Sequence, residues 1–116
     1  MAIYHITSLS AWQQAQAAGQ YTADSLASQG FIHCSTREQV LATAGRFYAG
    51  QDGLVLLCID AQRIAAALRY ENLEGGETLF PHIYGPLELA AVEAVLPFPP
   101  NPDGSFSFPE SGSILH

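Results

Sequence analysis

Histidine recurs in three strand-like stretches of this chain, each of which also carries hydroxyl or aromatic groups. His5 lies in Tyr4-His5-Ile6-Thr7, His33 in Gly30-Phe31-Ile32-His33-Cys34-Ser35-Thr36, and His82 in Phe80-Pro81-His82-Ile83-Tyr84. An imidazole is the side chain whose proton affinity lies nearest neutrality, so it serves as base, acid, hydrogen-bond partner or metal ligand. Strand alternation puts Phe31, His33 and Ser35 on one face and Ile32 and Cys34 on the other, and it puts His82 beside Tyr84. Ser35 or Thr36 can cap a following helix, because Glu38 and Gln39 stand three residues on from each. The free N–H groups of such a helix start would face an anion near His33. The competing reading is an ordinary core strand with a satisfied histidine.

The elements that must position these groups follow from periodicity. Residues 2–7 read as a first strand with Ile3, His5 and Thr7 on one face. A helix capped by Ser10 and ended by Gly19 carries Trp12, Ala15 and Ala18 inward. A single turn of helix is expected over Asp24–Ser28. Val40, Leu41, Ala44, Phe47 and Tyr48 recur at helical spacing within 37–49, which predicts that Phe47, like Trp12, is buried. Leu54–Ile59 is apolar on both faces, as a central strand covered from two sides would be. Ala61–Leu68 reads as a short helix, Arg69–Leu73 as a strand carrying Glu71, Glu74–Glu77 as a polar glycine loop, and Val92–Phe98 as the last strand. The expected class is α+β with a mixed or split β-sheet and flanking helices. Residues 1–98 are expected to form one domain, and 99–116 a Pro/Gly/Ser-rich tail.

Composition narrows the functions. Eleven acidic residues face four basic ones, all arginine, for a net charge of −7. This argues against nucleic acid and anionic membranes as partners, while leaving room for a small anionic ligand held by an arginine. No apolar run reaches the roughly 20 residues of a membrane helix, and the start of the chain has no basic or apolar leader pattern, so a cytoplasmic location is expected. Cys34 and Cys58 are expected as free thiols, and neither belongs to a CxxC pair.

Tyr4-His5-Ile6-Thr7, Trp12, Ser25-Leu26, the Gly30–Thr36 heptad, Gln39-Val40, Phe47-Tyr48, Glu71 and Phe80–Leu87 together resemble the DUF952 family of small bacterial proteins. The likeness runs from about residue 3 to 98. It implies a fold similar to the ADP-ribosyltransferase superfamily, distantly the RNA 2′-phosphotransferases, in which a strand histidine contacts the ribose of NAD. Carried over, His5, His33 and Glu71 would be catalytic, with Glu71 stabilising an oxocarbenium-like centre or activating a nucleophile. Thr7, Ser35, Thr36, His82 and Tyr84 would line the ligand. Ile6 departs from the small residue usual in those enzymes, and no arginine falls inside either histidine motif. The fold therefore carries over better than the reaction.

The functional expectation is a histidine-lined cleft for a small, nucleotide-like ligand, with NAD or an NAD derivative as the cofactor implied. One alternative is an NAD-dependent transferase or its degenerate relative. Another is a metal site built from His5, His33, His82 and Glu71. If His5 and His33 share a pocket, at least one should have a depressed pKa. The oligomeric state is left open.

Overall fold

The computed structural model describes residues 2–109. The chain opens with β1 (Ala2–Ser8), followed at once by α1 (Leu9–Ala18). Ser8, two residues before the cap expected, accepts from the Ala11 N–H at 3.1 Å, and Gly19 closes the helix in the left-handed region at φ 88°. A short β2 (Gln20–Tyr21) leads to α2 (Asp24–Gln29), which ends at Gly30, φ 87°. Then come β3 (Ile32–His33), α3 (Val40–Phe47) and β4 (Leu54–Asp60). The chain continues through β5 (Ala67–Glu71), β6 (Phe80–Tyr84), β7 (Leu87–Glu88) and β8 (Val92–Pro97).

The strands form a three-stranded sheet in the order β1-β4-β8, a second in the order β3-β6-β5, and the pair β2-β7. The class is α+β and the sheet is split, but every named pairing is antiparallel, so it is not mixed. As its composition requires, β4 is the middle strand. Val55, Leu57 and Ile59 enter one core with Ile3, Trp12, Ile32, Ile83 and Leu87. Leu54, Leu56 and Cys58 enter a second core with Ile6, Val40, Ala44 and Phe98.

Several expectations fail for reasons of packing. Ala61–Arg63 is a single 3-10 turn, and the next residues extend into β5 and pair with β6, so tertiary pairing overrides the helix propensity of an alanine-rich stretch. The regular part of α3 is shorter than 37–49, and its packed stripe runs through Val40, Leu41 and Ala44 to Tyr48, leaving Phe47 outside it. Phe47 is 60% exposed and is not a core residue. Ala18 is exposed too, while Trp12 and Ala15 are buried as expected. The part of the Pro/Gly/Ser-rich stretch within 99–109 packs back on the second core: Phe106 stacks on Phe98 with ring centroids 4.8 Å apart. Phe108 meets Tyr4 edge-on and lies under the Arg37 guanidinium. The remainder, 110–116, lies outside the described residues.

Candidate functional site

The Gly30–Thr36 heptad is the joint between the two larger sheets. Its first half pairs with β6 through Ile32↔Ile83 and His33↔His82, and the Cys34 N–H donates to the Pro81 carbonyl. Two residues later the chain has crossed to β1, where Ser35 and Tyr4 exchange backbone hydrogen bonds of 2.8 Å. The two histidine motifs therefore meet, but by an isolated bridge rather than a continuous ladder. Ser35 is 4% exposed, and its hydroxyl reaches Thr43 on α3 at 3.2 Å. Thr36 starts the turn before α3, its N–H donating to Gln39 Oε1 at 3.0 Å, which is one half of the capping box expected there.

His5 and His33 are joined through backbone rather than by facing rings. The His5 Nδ1–H donates to the His33 carbonyl, which leaves Nε2 to accept the Tyr21 hydroxyl proton at 2.7 Å. Thr7 extends this chain, its hydroxyl 3.0 Å from Tyr21 Oη. Both ring nitrogens are thus taken inside the first core. Burial lowers the His5 pKa to about 4 and raises that of Tyr21 to about 12. His5 and Thr7 are both buried, whereas the His33 imidazole is exposed.

The outer face of β3-β6-β5 gathers the other candidates. Register sets His33, His82 and Arg69 in one row across the three strands. The His33 and His82 rings lie 5.4 Å apart. Phe31 stacks on His82 at 4.3 Å and also meets His33 and Tyr84. Glu71 Oε1 accepts from His82 Nδ1–H at 3.0 Å and from the Tyr84 hydroxyl. The bond from Tyr84, and then that from His82, hold the Glu71 carboxyl below its usual range, and the same bond raises the phenol of Tyr84. The Arg69 guanidinium sits 5.1 Å from the Tyr84 ring centroid. His33 Nε2–H donates to Gln29 Oε1, and partial burial followed by the neighbouring His82 lowers its pKa. Glu74, which pairs with Arg46 at 3.7 Å, acts on His33 in the opposite sense.

Of the residues singled out in the sequence, the fold brings together His33, Glu71, His82 and Tyr84. It puts His5 and Thr7 inside the first core, and spends Ser35 and Thr36 in the inter-sheet joint. The metal set of His5, His33, His82 and Glu71 is not assembled, because both His5 nitrogens are engaged elsewhere. Among the described residues, no group of three His, Cys, Asp or Glu side chains could hold a metal ion. Cys34 is buried, which pushes its thiol pKa up and disfavours the thiolate. Arg69 and Gln29 were missed from sequence. Only the register across β5-β6-β3 reveals the first, and only the helical turn before Gly30 brings the second to His33.

The fixed tautomers define the chemistry available. With its Nδ1–H given to a carboxylate, His82 in its neutral form carries its lone pair on Nε2, where no partner lies among the described residues. Tyr84 supplies partly exposed aromatic surface, backed by the buried Phe31, and Arg69 a permanent cation. The arrangement can accept a proton, stack a flat ring and pair with an anion.

A crystal structure of CC0527 from Caulobacter crescentus superposes with a TM-score of 0.84 at 34% identity, covering 92% of this chain and 94% of that one. The solution structure of CC0527 gives 0.79 at 35% identity over 90% of each chain. No curated protein matches the chain. Residues 6–95 match the profile of DUF952, described as a protein of unknown function. The chain belongs to the DUF952 family.

Proposed function

We propose that the outer face of β3-β6-β5 binds a small, nucleotide-like ligand, for which NAD-derived compounds are the first candidates. The observation that carries this reading is the row His33–His82–Arg69, backed by a carboxylate-anchored imidazole and flanked by Phe31 and Tyr84. A flat base gains from aromatic contact, and a phosphate from a guanidinium. His5 enters as a support for the His33 backbone rather than as a ligand contact. An ADP-ribosyltransferase-like ancestry is part of the proposal. It is supported by the split sheet and by the bridge between the two histidine motifs.

Thermal-shift and calorimetric titration against NAD, ADP-ribose and AMP, with zinc as a parallel probe, tests the reading. Stabilisation by a nucleotide that is lost in His33→Ala and Arg69→Gln is the expected result. Stabilisation by zinc alone, or by none of the probes, would contradict it.

A further inference from the structure

We propose that His82, positioned by Glu71, is a catalytic base that activates water against the diphosphate bond of a small nucleotide; the inference rests on the ligand reading above. Four observations converge on this imidazole. Glu71 takes its Nδ1–H at 3.0 Å, so that the neutral form of the ring has its lone pair on Nε2. The carboxylate is itself held by the Tyr84 hydroxyl on the same oxygen, so the orienting group is oriented in turn. Phe31 stacked at 4.3 Å stops the ring from turning, while Nε2 has no partner among the described residues. Finally, the register sets Arg69 directly across from His82 on one side and His33 on the other.

A histidine that served only to fill the sheet would not need the second donor on its carboxylate, and the guanidinium of Arg69 lies on the same face, over the Tyr84 ring. General-base action requires a lone pair held in place at a site that a substrate oxygen can reach, and a carboxylate behind the imidazole stabilises the imidazolium that forms. The guanidinium of Arg69 suits the phosphoryl oxygens that gain charge as the bond to phosphorus forms. In the step itself, Nε2 takes a proton from water, the water oxygen bonds to phosphorus, and the bond from phosphorus to the leaving oxygen breaks. With an aryl phosphodiester as the probe in place of the diphosphate, the phenolate departs as an anion, and the proton on Nε2 passes to solvent.

The test measures p-nitrophenolate release from bis(p-nitrophenyl) phosphate by the native chain, alongside a thermal-shift titration with ADP-ribose. Native turnover is expected, with kcat lowered about 10²-fold or more in His82→Gln. Glu71→Gln should lower kcat while leaving KM unchanged, and Arg69→Gln should raise KM. Should His82→Gln fail to fold, the other two variants, whose side chains face solvent more, carry the test. Native turnover no greater than that of Glu71→Gln overturns the catalytic assignment. ADP-ribose binding without turnover overturns the base and leaves the ligand reading standing. Turnover without nucleotide binding does the reverse, and the absence of both overturns both.

Discussion

His5 on β1 and His82 on β6 are buried to nearly the same depth, 7% and 6% exposed, and each is hydrogen-bonded to another side chain. They differ in what is left over. His5 gives one nitrogen to a carbonyl and the other to a phenol, and burial lowers its pKa to about 4. His82 gives one nitrogen to a carboxylate and keeps the other. The first lies in a core shared with Trp12, Tyr21 and Leu57, and the second on a face shared with Arg69 and the exposed His33. The comparison teaches that burial alone does not tell which imidazole keeps a nitrogen for further chemistry; the count of spent nitrogens does.

The largest effect should come from the core beside His5. Trp12→Ala is expected to cost ~3–5 kcal/mol, a large part of the stability of a domain of this size, read as a fall in the urea midpoint. A loss near zero would break the description of that core.

The pH dependence of folding sharpens the contrast next. His5 binds its proton more readily unfolded, at 6.5, than folded, at about 4. Its contribution is therefore present in full above about pH 6.5 and is lost as pH falls towards 4. The loss amounts to about 3 kcal/mol across that window. His33, also depressed, acts in the same sense. Urea denaturation at pH 7 and pH 4.5 measures the slope, which should flatten in His5→Leu; an unchanged slope there would remove His5 as its source.

On the other face, Arg69→Gln should leave the urea midpoint near native but weaken ADP-ribose binding about tenfold. Equal affinity in the variant would detach Arg69 from the site. The smallest change is expected at Phe47, exposed at the end of α3. Phe47→Ala should shift stability by no more than about 0.5 kcal/mol, and a loss comparable to that of Trp12→Ala would mean the residue is covered.

The central strand was legible in the sequence because a run apolar on both faces has one comfortable position, between two cores. Gly19 was legible as a helix end, since it takes the left-handed conformation that glycine favours, whereas Gly30, which ends α2 in the same way, read only as the start of the heptad. Phe47 misled because the stripe that packs runs through Val40, Leu41, Ala44 and Tyr48, and Phe47 falls beside it on the solvent side. The alanine-rich stretch before β5 misled because local propensity yields to pairing with β6. His5 and His33 were indistinguishable at first, each in a strand and each two residues before a hydroxyl. What separates them is non-local: Tyr21, sixteen residues on from His5, takes its free nitrogen. Arg69 was hidden for the same reason, since a cross-strand row exists only once the register is set.

The most direct test of this account is an NMR titration that follows the imidazole nitrogens of His5, His33 and His82 as ADP-ribose is added near pH 7. The account predicts saturable shifts at His33 and His82, with His82 in the Nδ1–H tautomer before ligand is added, and no change at His5. Saturable movement of His5 with His33 and His82 unmoved, or no movement at any of the three, would contradict it.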